Sequence, residues 1–78
     1  PRTAIVYVLD AAAPVELGIY DAAGRKVATL VRGRMEAGRQ VATWDGRSDA
    51  GEPVPAGVYF ARLDLGGKVL TAKLTLAR

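Results

Sequence analysis

The chain has 78 residues, eleven Lys and Arg against eight Asp and Glu, a net charge of +3, and neither cysteine nor histidine. That length fits one domain, residues 1–78, with a small core. The missing residues exclude disulfides, thiolate metal sites, Ser–His and Cys–His nucleophiles and imidazole ligands for zinc.

Thr3 to Leu9 (TAIVYVL) is rich in β-branched residues and reads as a strand. Ile5, Tyr7 and Leu9 share one face; Val6 and Val8 share the other. Both faces are apolar, so the strand is expected to be covered on both sides or to meet a neighbouring domain. Asp10 to Pro14 reads as a loop, because Pro14 stops any helix that Ala11–Ala13 begin.

Val15 to Tyr20 alternates apolar and polar positions, the mark of a half-buried strand. Asp21-Ala22-Ala23-Gly24 suits a type I turn closed by a left-handed glycine. Lys26 to Val31 returns as its hairpin partner. Arg32 to Gly38 reads as a polar connection, with a marginal helical turn over Arg34–Ala37. Arg39 to Trp44 is the next strand, with Gln40, Ala42 and Trp44 on one face.

Asp45 to Ala56 is a long turn region, signalled by Asp45-Gly46 and Asp49-Ala50-Gly51. Pro53 and Pro55 exclude a central strand there. Gly57 to Leu65 is a strong strand with Tyr59, Ala61, Leu63 and Leu65 on one face. Gly66-Gly67 is a two-residue hairpin turn of the primed type. Lys68 to Leu76 closes the chain, with Leu70, Ala72, Leu74 and Leu76 expected inward. Turns every 8–12 residues and no convincing helix predict an all-β fold: an immunoglobulin-like antiparallel β-sandwich of about six to seven strands.

Three sites compete with structural explanations. Asp45, Asp49 and Glu52 supply oxygen ligands for calcium, but the spacing lacks the core of a calcium loop, and Asp45 and Asp49 suit turn capping through their own backbone. Trp44, Tyr59 and Phe60 suggest a carbohydrate-stacking surface. Parity turns Trp44 and Tyr59 inward, towards core packing, and leaves Tyr20 and Phe60 as two scattered outward rings. Paired carboxylates for glycoside hydrolysis need a deep cleft, which short strands do not provide. The chain therefore reads as no enzyme and as needing no cofactor. Nucleic-acid binding asks for a basic stripe with interleaved aromatics. Arg32, Arg34 and Arg39 cluster with only Met35 among them. No apolar run approaches the ~18 residues of a membrane span.

Several segments together resemble a known family. They are Tyr7-Val8-Leu9, the run from Val15 through Asp21 and Gly24-Arg25 to Leu30, Ala37-Gly38, and Trp44-Asp45-Gly46 with Asp49, Pro53-Val54-Pro55-Ala56-Gly57 and Val58-Tyr59-Phe60. Lys73-Leu74 near the end completes the set. The pattern resembles the immunoglobulin-like type IX secretion sorting domain of exported bacterial proteins, akin to the immunoglobulin-like domain of the flagellar hook-capping protein. The usual Asn-Pro-x-x-Pro lead-in is reduced here to Pro1-Arg2-Thr3.

The resemblance implies a non-catalytic C-terminal module of a larger protein. Its implied partners are the outer-membrane secretion and attachment machinery and the upstream domains of its own parent, at the cell surface or in secreted form. The closing strand, with Lys68, Lys73 and Arg78, is the expected recognition region. A structural assembly domain of the hook-capping kind, or a carbohydrate-binding accessory module, are the alternatives.

Overall fold

Alternation and turn chemistry together decide where the strands lie. A computed structural model describes residues 2–77. It contains β1 (Thr3–Leu9), β2 (Ala13–Asp21), β3 (Lys26–Met35), β4 (Gly38–Trp44), β5 (Gly57–Asp64) and β6 (Val69–Leu76). β1 and β4 form a two-stranded antiparallel sheet. The other sheet has the order β3-β2-β5-β6. The chain changes sheet after β1, after β3 and after β4, which makes a sandwich of the immunoglobulin-like type.

The inward residues of both sheets meet in one core. Ile19, Leu17, Trp44 and Leu76 are its most deeply buried large side chains, joined by Tyr7, Leu9, Val15, Tyr59 and Leu63. No buried residue is polar among those described. Apolar burial of this kind is what offsets the ordering of the chain.

Local turn chemistry works as its residues dictate. Gly24 N–H donates to Asp21 O at 3.0 Å, with Gly24 at φ 85°. Asp21 Oδ1 accepts from Ala23 N–H and Arg25 N–H. Gly66 and Gly67 take φ 73° and 118°, as a primed hairpin turn requires.

Four expectations are corrected. Pro14 lies within β2, opposite Arg34. It is tolerated there because the β2–β5 ladder begins only at Glu16, so one side of β2 carries no ladder at Pro14. The Arg34–Ala37 segment is no helix: β3 runs on to Met35, because the longer β2 provides a partner up to Ala13. Only Glu36–Ala37 then separates β3 from β4.

Leu70 and Ala72 are exposed rather than inward, while Leu74 is half-buried and Leu76 fully buried. Two strands cannot roof four, and the first half of β6 lies outside the cover. The outer face of β1 is bare within the domain, with Val6 49% and Val8 68% exposed, so of the two expectations for it only cover from this chain itself is overturned.

Candidate functional site

The Trp44–Gly57 region is built as a self-bonded corner. Trp44 packs edge-on against Tyr59, with ring centroids 5.1 Å apart and planes at 66°. Each ring satisfies its polar atom on nearby backbone. Trp44 Nε1 donates to Arg47 O at 2.9 Å, and Tyr59 OH donates to Pro55 O at 2.6 Å. The second bond, from a strand tyrosine to backbone four residues upstream, is the tyrosine corner of immunoglobulin-like sandwiches. Both rings are buried, so neither is available to stack on a sugar.

The acidic candidates have structural partners instead of a common focus. Asp45 Oδ1 accepts Arg47 N–H at 3.1 Å, an Asx turn of the expected kind. Asp49 departs from the expected capping of its own turn. Its Oδ1 accepts Thr29 N–H on β3 at 2.9 Å, and its own N–H donates to Val27 O at 3.1 Å. Glu52 contributes its backbone carbonyl to Ser48 N–H. Among the described residues, no group of three such side chains converges to hold a metal ion.

The outward rings are closer than their sequence separation suggests. Tyr20 stands opposite Phe60 in the β2–β5 register. The Arg62 guanidinium lies over the Tyr20 ring at 5.7 Å from its centroid. Beside them Gly18 leaves room: a Cβ there would come within 3.1 Å of the Tyr20 ring edge and 3.3 Å of Lys26 Cε. On the same sheet Glu16 accepts Lys26 Nζ at 2.8 Å and pairs with Arg32 Nε at 3.3 Å. The hydrogen bond from Lys26 is the main cause holding the Glu16 carboxyl below its usual range. The backbone N–H of Arg25 does the same for Asp21.

Lys68 and Lys73 are exposed, Lys68 in the turn before β6 and Lys73 on β6 opposite Phe60. Arg78 lies outside the described residues.

The least finished part of the surface is the β1 edge. Among the described residues, β1 pairs with β4 on one side and with no strand on the other. An apolar groove of about 230 Å³ opens between β1 and β6, floored by Leu17, Ala61 and Leu63 and flanked by Tyr7 and Leu70. On the outer face Val6 stands opposite Val41, which is 54% exposed. An open strand edge beside an apolar groove suits pairing with another chain, and it offers no catalytic group. Sequence parity could not reveal this edge, because it depends on which strands are neighbours.

Comparison with known proteins bears on the same question. The sequence model of the FlgD Ig-like domain matches residues 2–65, which is β1 to the end of β5. Among solved structures, the crystal structure of FlgD from P. aeruginosa superposes with a TM-score of 0.71 at 25% identity. The match covers 97% of this chain and 60% of that one, so the chain spans little more than half of that relative. No curated protein matches the chain. These matches support the hook-capping side of the resemblance and give none to the type IX sorting side.

Proposed function

The chain belongs to the FlgD Ig-like domain family, and from that premise we propose that it is a structural assembly module of the flagellar hook-capping kind. The family match across β1–β5 carries the reading. The chain's architecture supports it: a rigid, self-bonded corner at one place and an open, apolar strand edge at another. A module of this build offers shape and strand edges to other protein subunits. In this reading it acts outside the cytoplasm, as one part of a longer protein. The family is a structural one, and the domain contributes binding rather than chemistry.

The test is co-sedimentation of the purified domain with polymerised flagellar hook subunits. Retention of the domain in the pellet is the expected result. A domain that stays in the supernatant at every concentration overturns the proposal. The sorting function has no support beyond the opening resemblance.

A further inference from the structure

The sandwich has four sheet edges, and three of them are guarded. β3 carries Lys26, Arg32 and Arg34, and its register with β2 is broken by bulges beside Leu17/Gly18 and Ile19/Tyr20. β6 carries Lys73 within its span. β4 opens on Gly38-Arg39. Charged residues and bulges on edges are the usual devices that stop one sheet adding to another. β1 has none of them within its span. Its seven residues, TAIVYVL, include no charge, no proline and no glycine, and its register with β4 is unbroken from Thr3 to Leu9. Half of its backbone N–H and C=O groups point away from β4 into the open edge.

The charges that flank β1 indicate what fits there. Arg2 precedes the strand and Asp10 follows it. Both are exposed, and neither has an ion-pair partner among the described residues. We propose that β1 is the pairing edge for a second copy of this chain, in an antiparallel β1–β1 ladder about a twofold axis through Val6.

That register sets Arg2 opposite the partner's Asp10, and Asp10 opposite the partner's Arg2, at the two ends of the joint. Between them Ala4 faces the partner's Val8, Ile5 faces the partner's Tyr7, and Val6 faces the partner's Val6. Because Val41 already stands opposite Val6, the outer face gains a row of four valines across a four-stranded sheet. Such β-branched pairs stabilise neighbouring strands. The interface is isologous and closes on itself, so it gives a dimer and no filament. The Leu70 side of the β1–β6 groove opens at this same edge. The pairing names a partner for the assembly reading and rests on it for its biological setting.

Sedimentation equilibrium on residues 1–78 tests it, with Trp44 fluorescence as the check that each variant is folded. The wild type is expected to show a concentration-dependent dimer. Val6→Lys places two like charges directly opposite each other and raises the dissociation constant by at least about tenfold. Arg2→Asp and Asp10→Arg each weaken the dimer, and the double charge swap restores it. A wild type that is monomeric at every concentration overturns the proposal. So does a dimer indifferent to Val6→Lys, or a double swap that fails to recover what the single changes lose. The hook-subunit assay is read separately. A monomer that binds hook subunits removes the self-pairing and keeps the assembly reading. A dimer that ignores those subunits keeps the self-pairing and removes the assembly reading.

Discussion

The loop between β4 and β5 and the strand β1 reverse the usual contrast between irregular and regular structure. The loop has almost no secondary structure, yet its groups find partners nearby. Trp44, Tyr59, Ser48, Gly51, Val54 and Asp49 all donate to backbone carbonyls within or beside it. β1 is a strand with an unbroken register, yet one whole side of its backbone faces no other strand among the described residues. Completeness here comes from closed hydrogen bonding and burial rather than from regular geometry. The closed region holds the fold. The incomplete one leaves a strand edge open.

Substitutions that test this contrast should differ widely in size. Trp44→Ala empties the centre of the closed corner and removes an edge-on aromatic contact. It should destabilise the domain by about 3–5 kcal/mol in urea unfolding. A loss below ~1 kcal/mol would mean the corner is not the keystone described above. Tyr59→Phe keeps the ring and removes only the bond to Pro55 O, so a loss of about 1–2 kcal/mol is expected. Asp49→Ala removes one of the two bonds that tie the loop to β3, keeping Asp49 N–H on Val27 O, and leaves Thr29 N–H to water, with an expected loss of about 1 kcal/mol. Hydrogen exchange at Thr29 should quicken in that variant, while exchange in β5 stays slow.

On the open side, Val8→Thr should leave the stability of the monomer within about 0.5 kcal/mol, since Val8 is 68% exposed. The measurement belongs at low protein concentration, where pairing adds nothing to the apparent stability. A large loss there would show that the outer face of β1 is covered within the monomer.

The smallest effect is electrostatic. Glu16 and Asp21 have folded pKa values lowered from the ordinary carboxylate value by their hydrogen bonds to Lys26 and Arg25. A lowered folded pKa gives stability that is present above the unfolded pKa and lost as pH falls through the folded value. Thermal midpoints should therefore drop on acidification below the ordinary carboxylate range. The drop should shrink in Glu16→Gln and Asp21→Asn and in high salt, because both groups lie at the surface.

Much of this molecule follows from local pattern. The Asp21–Gly24 and Gly66–Gly67 turns, the strands β1 and β5 almost to the residue, and the inward parity of Trp44 and Tyr59 depend on period-two alternation and on the φ angles that only some residues adopt easily. The immunoglobulin-like class follows from those strands and turns in sequence.

What escaped the sequence depends on neighbours far along the chain. Asp49 bonds to Thr29, twenty residues away. β3 extends to Met35 because β2 reaches back to Ala13 to meet it. Tyr20 and Phe60 become neighbours only when β2 and β5 pair. Leu70 has the right parity for the core but lies where the two-stranded sheet does not reach, so it remains exposed. Alternation tells a strand which of its faces is apolar. Only the packing of one sheet on the other decides how much of that face is covered, and only the order of strands decides which edge is left open.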